Sequence, residues 1–210
     1  MMDCQEVETA SLRSLRFAVI DLETSGGRPR ARWSDRRGFC PPAEITEVGI
    51  LSMTGLVVEE RWSSLCRIEG SLPIGIQRLT GITPHQLAEA ATWERVVFQL
   101  APRLEGRIWV AHHAPFDGAF LKALLPEGLW GRHRLICTRR LAKHLLPEVH
   151  YFDLNHLCKI LNIVNRRPHL ALSDAEATAE LLQRFIERAE EKSIHPEAFL
   201  EQGAVSWVKL

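Results

Sequence analysis

Phe17-Ala-Val-Ile20 is a continuous apolar run that ends on two acids, Asp21 and Glu23. A strand with no polar alternation is buried on both faces, which requires a sheet with cover on each side. The flanking segments suit such a sheet. Ile45 to Leu51 and Leu56 to Arg67 are strand-like and are joined by Ser52-Met-Thr-Gly55, so an antiparallel hairpin is predicted beside the first strand. Ile108 to Ala111 reads as a further buried strand and Leu135 to Thr138 as a short one. Helical signals fall between and after them. Thr83-Pro84 supplies an N-cap and a first-turn proline. Thr92 heads a stripe of Val96, Val97 and Leu100. Phe120, Leu121 and Leu124 mark another helix, Leu141 and Leu145 the next, and Asp153 heads one with Leu154, Leu157 and Ile160. Ser173-Asp-Ala-Glu176 has the form of a capping box before Thr178, Leu181, Leu182, Phe185 and Ile186. A hairpin followed by alternating strands and helices argues for an α/β fold with a mixed β-sheet flanked by helices. With 210 residues, one domain is expected, over 17–190. A flexible polar lead-in (1–16) would precede it, and a tail (191–210) able to hold a short helix after Pro196 would follow.

Charge does not identify a partner, because 26 Lys and Arg balance 26 Asp and Glu. The five cysteines are widely spaced and contain no CxxC pair, which speaks against a disulfide framework or a zinc site and for reduced thiols in a cytoplasmic location. Met1 to Arg16 has no apolar core and does not read as a signal peptide. No apolar run is long enough to span a bilayer, so no membrane partner is expected. Gly26 to Pro42 reads as a long exposed loop. Its Arg28, Arg30, Arg32, Arg36 and Arg37, with Trp33 among them, could hold a phosphate backbone and stack a base. Asp35, Gly38 and the prolines favour a merely solvated insertion.

Five residues carry chemistry. Asp21 and Glu23 stand two apart, so a strand points both the same way. Two adjacent carboxylates at the end of an apolar strand repel each other and are costly to desolvate. A divalent cation relieves both penalties, and carboxylate oxygens suit Mg²⁺ or Mn²⁺. Taken alone, the pair is equally two hydrated acids where a strand meets solvent. Asp117 follows the strand Ile108 to Ala111 and, by itself, could be a capping residue. Asp174 sits in the first turn of the last long helix, where the dipole favours any carboxylate. His169 lies five residues earlier on the feeding loop; an imidazole beside an activated water can serve as a general base near neutral pH.

Together these pieces resemble a known family. Val19-Ile-Asp-Leu-Glu-Thr-Ser25 resembles the first motif of the DEDDh 3'→5' exonucleases, which include the proofreading epsilon subunit of bacterial replicative polymerase and the ribonuclease T type. Glu44-Ile-Thr-Glu-Val-Gly49, Leu79-Thr-Gly-Ile-Thr-Pro84, Val110 through Asp117, and His169 through Ala175 are similar to the segments that follow, in the family's order, across roughly 17–187. The resemblance implies a ribonuclease H-like fold. It implies Asp21, Glu23, Asp117 and Asp174 as ligands of two Mg²⁺ or Mn²⁺ ions, with His169 as general base. It implies release of 5'-mononucleotides from a single-stranded or frayed 3' end, DNA before RNA. Thr24, Leu79, Thr80 and Gly81 would lie near the terminal nucleotide. His113 stands where the family commonly has Asn and would place substrate with a hydrogen bond; Phe116 reads as core. Rival readings are a nucleic-acid-binding module of the same fold without catalysis, and a proofreading subunit bound to a polymerase. No polymerase-binding segment or homodimer interface is legible.

Overall fold

A computed structural model describes residues 11–34 and 38–210. The expected lead-in before Ser11, and Asp35, Arg36 and Arg37, lie outside the described residues. After a 3-10 turn, Leu12–Ser14, come β1 (Arg16–Thr24), β2 (Arg32–Ser34), β3 (Gly38–Cys40), β4 (Ile45–Thr54) and β5 (Val57–Leu65). Three helices follow: α1 (Ile74–Thr80), α2 (Pro84–Glu89) and α3 (Trp93–Leu104). Then come β6 (Ile108–Ala111), α4 (Ala114–Leu124), α5 (Glu127–Trp130), β7 (Leu135–Cys137), α6 (Thr138–Leu145) and α7 (Leu154–Ile160). The long α8 (Ala171–Glu191), α9 (Pro196–Gly203) and β8 (Ala204–Val205) complete the fold.

Six strands form one mixed sheet in the order β5-β4-β1-β6-β7-β8, the α/β arrangement expected. β4 runs antiparallel to β1, while β6 and β7 are parallel to it and to each other. Alternation along β1 sorts its side chains. Phe17 and Val19 pack with Leu181, Leu182, Phe185 and Ile186 of α8, whereas Ala18, Ile20 and Leu22 pack with α3 and α4. Each face of the strand is therefore covered, which is why the run carries no polar residue until its last turns. The same alternation sends Asp21 and Glu23 to the α8 face.

Several local expectations need correction. The strands of the hairpin run on to Thr54 and resume at Val57, so the turn lies at Gly55-Leu56 and not over 52–55; Gly55 takes the left-handed φ of +55° that the turn requires. The loop 26–42 is not wholly irregular, because β2 and β3 pair antiparallel within it. Thr83 and Gln86 form a reciprocal capping box at α2, and Asp153 accepts from the His156 N–H at α7. Ser173 does not cap α8. That helix starts two residues earlier, at Ala171, because the Glu47 carboxylate of β4 accepts the Ala171 N–H at 3.0 Å. A tertiary acceptor replaces the local one, and Ser173 turns to the loop instead, donating to Asn165 and accepting from the Arg167 N–H. The helix expected after Pro196 is α9. It buries Phe199 and Leu200, and it delivers β8 to the edge of the sheet beside β7. No helix among the described residues is long and apolar enough to cross a membrane.

Candidate active site

The site lies where β1 ends. Asp21 and Glu23 face the start of α8, and Asp117 arrives from the first turn of α4, just beyond β6. Asp117 is buried, at 4% exposure, and accepts the Leu22 backbone N–H at 3.2 Å. Asp174 comes from the first turn of α8. One of its oxygens accepts the side-chain amide of Asn165, and the other accepts the His169 backbone N–H at 3.1 Å. That second bond needs His169 in a left-handed backbone conformation, φ +66°, which non-glycine residues seldom adopt outside places where surrounding contacts enforce it. Donor atoms of Glu23, His169 and Asp174 all lie within 4.8 Å of one another.

Crowding these acids has an electrostatic cost. Burial pushes the Asp21 carboxyl well above the usual carboxylate range, and the charges of Asp117, Asp174, Glu23 and Glu47 push it further. Burial, then Asp174, Glu47 and Asp117, push Glu23 up to about 8. Asp117 rises to about 7 through burial, opposed by backbone N–H groups including that of Leu22. Oxygen donors that would rather hold protons than share a dry pocket as anions are the donor set a hard divalent cation neutralises, and by that test these residues fit one.

Two further residues take part that sequence reasoning missed. Glu47 lies directly opposite Glu23 in the β1–β4 register, is 9% exposed, and ties β4 to the N-terminus of α8. Burial raises its carboxyl, and the Ala171 N–H partly offsets this. An acid inside the largely apolar Ile45 to Leu51 strand was the available signal. Asn165 bridges Asp174 and Ser173, and nothing in the sequence marks it.

The residues expected near substrate are more scattered. Thr24 is buried, and its hydroxyl donates to the Gly26 carbonyl at 2.6 Å. Leu79 is 49% exposed at the end of α1. The Thr80 hydroxyl is occupied locally, donating to Ile76 and accepting from Ile82, and Gly81 ends the helix at φ +75°. No hydrogen bond among the described residues joins these three to the acids. His113 precedes α4, is exposed, and lines a groove of about 500 Å³ with Phe116. Phe116 is partly buried against Phe120 and also lines this groove, so it is only in part the core residue expected.

Comparison with known proteins identifies the family. Residues 18–182 match the exonuclease family RNase_T. A Mycobacterium tuberculosis (strain CDC 1551 / Oshkosh) protein named as a bifunctional exonuclease/endonuclease is 34% identical over 194 residues, 90% of this chain and 29% of that protein. The PolC-type DNA polymerase III of Thermotoga maritima is 31% identical over 173 residues, 81% of this chain and 12% of that protein. The chain thus spans under a third of these relatives. Among solved structures, Exonuclease X in complex with 5' overhanging duplex DNA superposes with a TM-score of 0.65 at 24% identity, over 90% of this chain and 98% of that one. The six-stranded mixed sheet with helices on both faces is the ribonuclease H-like fold of these exonucleases, and the chain belongs to the exonuclease family RNase_T.

Proposed function

We propose that the chain is a metal-dependent 3'→5' exonuclease domain that hydrolyses the terminal phosphodiester bond of DNA, or of RNA, and releases 5'-mononucleotides. The observation that carries this reading is the cluster of Glu23 from β1 with His169 and Asp174 at the start of α8, with Asp21 from β1 and Asp117 from α4 buried near enough that burial, and then the charges of these acids, push the Asp21 and Glu23 carboxyls up. The four carboxylates would hold two divalent cations, Mg²⁺ or Mn²⁺. When bound, these supply charge neutralisation at the scissile phosphate and acidify water. His169 takes the proton of the attacking water on its ring. Its backbone is fixed by the bond to Asp174, so the ring enters the site from a pinned loop and not a free one. Asn165 and Glu47 hold Asp174 and the first turn of α8 against the sheet. A single-stranded end, or a recessed 3' end like that of the duplex bound to Exonuclease X, would enter beside Thr24, Leu79, Thr80, Gly81 and His113. Association with a polymerase, or with the remainder of a longer chain such as the mycobacterial relative, would set the biological context.

Degradation of 3'-labelled and 5'-labelled single-stranded DNA and RNA, with Mg²⁺, Mn²⁺ or chelator, tests the reading. Metal-dependent release of the 3' label as mononucleotide is expected, with Asp21→Ala and Asp174→Ala reduced to background. His169→Ala should lose roughly a hundredfold or more in turnover while binding Mn²⁺ nearly as the parent does. Release of the 5' label first, or cleavage at parental rates by either aspartate variant, would sink it.

A further inference from the structure

The insertion between β1 and β4 carries features that the catalytic site does not use. Its base is closed by the Ser25 N–H donating to the Glu44 carbonyl, the Glu44 N–H donating to the Ser25 hydroxyl, and the Ala43 N–H donating to the Arg28 carbonyl, at 2.8–2.9 Å. These bonds set Arg28 at a fixed distance from the end of β1, the strand that carries Asp21 and Glu23. Arg28, Arg30 and Arg32 are exposed, and no acidic side chain among the described residues pairs with them. Trp33 and Phe39 are directly opposite each other across the β2–β3 ribbon, so they share a face; they are 75% and 65% exposed. Two large aromatic rings held side by side in water, next to cations that no acid among the described residues pairs with, point to an occupant.

Two grooves show where that occupant would run. The first, about 500 Å³, has Arg28 and Arg30 on one wall and His113 and Phe116 on the other, at the start of the helix that carries Asp117. The second, about 900 Å³, shares Arg28 and Arg30 and continues past Arg32 and Phe39. Arg28, Arg30 and Arg32, with Phe116 and Phe39, therefore line a path from the start of α4, the helix that carries Asp117, to the ribbon. Phosphates of a single strand meet guanidinium groups along such a path, and unpaired bases stack on exposed rings, without regard to sequence.

We propose that the arginines Arg28, Arg30 and Arg32, with the Trp33–Phe39 pair of the ribbon, grip the single-stranded nucleic acid on the 5' side of the terminal nucleotide. The proposal rests on the exonuclease reading for which strand arrives, and adds the surface that holds it. The grip makes cleavage depend on strand length: nucleotides too far from the acids to react still contribute to binding.

The test is binding of fluorescein-labelled oligothymidylate and oligouridylate 20-mers to the full chain in chelator, followed by anisotropy across a salt series. Arg28→Ser/Arg30→Ser should weaken binding at least tenfold at low salt. It should also lower the slope of log affinity against log salt by about 1.4, at roughly 0.7 per phosphate. Arg28→Lys/Arg30→Lys should keep the parental slope, which separates lost charge from lost fold. Trp33→Ala/Phe39→Ala should weaken binding roughly tenfold with the slope retained. Parental affinity and slope in both the serine and the alanine variants would overturn the grip, as would equal losses on a blunt duplex. The assay involves no cleavage, so a chain that cleaves while its variants bind normally loses only the grip. A chain that cleaves nothing yet shows these losses keeps the grip and loses the exonuclease reading.

Discussion

Asp117 shows at one residue how the site trades stability for chemistry. Its carboxyl, 4% exposed, accepts the Leu22 N–H and is pushed up to about 7 by burial. Asp117→Asn keeps the oxygen that accepts this bond and removes the charge. A rise from 3.8 to about 7 would amount to roughly 4 kcal/mol at 1.36 kcal/mol per pH unit. Sharing of protons among the neighbouring acids reduces the realised gain, which should be on the order of 1–2 kcal/mol, as for an ordinary single substitution. In divalent-free buffer at pH 8 the variant should therefore melt about 3–6 °C higher than the parent, and it should not cleave. An unchanged or lower melting temperature would show that the acid is not under electrostatic strain. That Asp21 and Glu23 share a face was legible from strand alternation alone. Glu47 was less so: an acid in a strand usually marks a solvent edge, and only the register opposite Glu23 shows otherwise. Asn165 was not legible at all, because its partner Asp174 is reached across a loop whose path no local rule dictates.

Among the elements, the junction of β4 with α8 decides whether the acids meet. Gly49 of β4 lies under the first turn of α8 so closely that an added Cβ would sit 2.3 Å from the Ala171 carbonyl carbon and 2.5 Å from the Leu172 nitrogen. Both neighbours are backbone, so neither can swing aside. Gly49→Ala must lift the start of α8, strain the Glu47 bond to Ala171, and draw His169 and Asp174 away from Glu23. The expected result is a loss of about 2–3 kcal/mol in urea unfolding, as for other overpacked contacts. The loss of cleavage should exceed a hundredfold at temperatures where the variant remains folded, since small misplacements at a reacting centre are that costly. Near-parental cleavage would mean that the helix start does not position the site. This junction also explains the misplaced capping box. The S-x-x-E pattern describes a local solution, whereas the N-terminus of α8 is satisfied by a residue more than a hundred positions earlier in the chain. The order of strands and helices was readable because each buried run had its own period and its own punctuation. The β2–β3 ribbon and α1 were not, since neither has an apolar stripe long enough to declare a period.

For the whole molecule, a balanced net charge conceals opposed local fields, and these make stability depend on pH and on cations together. Consider the chain without divalent ions. The unfolded chain releases the protons of Glu23 and Asp117 near their ordinary values, whereas the native chain holds them to about 8 and about 7. Between these limits the native state binds more protons, so this contribution to stability is lost as pH rises through the folded values. His112 acts in the opposite sense. It is buried and neutral, bonded to the Thr138 hydroxyl and donating to the Phe152 carbonyl, and burial pushes its imidazole down to about 4. The unfolded chain takes up that proton first, so the contribution of His112 is lost as pH falls from about 6.5 toward 4. Above pH 6.5 less than half of the unfolded His112 is charged, and the same holds for His113 and His133, which burial also lowers, so the remaining imidazole contribution is small and the acids dominate the slope. The cation-free melting temperature should therefore decline from pH 6.5 to pH 8. On the proposed reading Mg²⁺ or Mn²⁺ would bind only the assembled set of carboxylates and should restore it, with the gain growing with the logarithm of concentration and larger at pH 8 than at pH 6.5. Thermal melts at these two pH values, across a cation series and with Asp174→Asn as control, measure this directly. Equal gains at both pH values, or an undiminished gain in the control, would place the cation elsewhere than on these acids. The coupling is expected because the proposed ligands come from β1, α4 and α8, so the protein must complete its sheet before it has a site, and a cation bound there would in turn hold the three elements together.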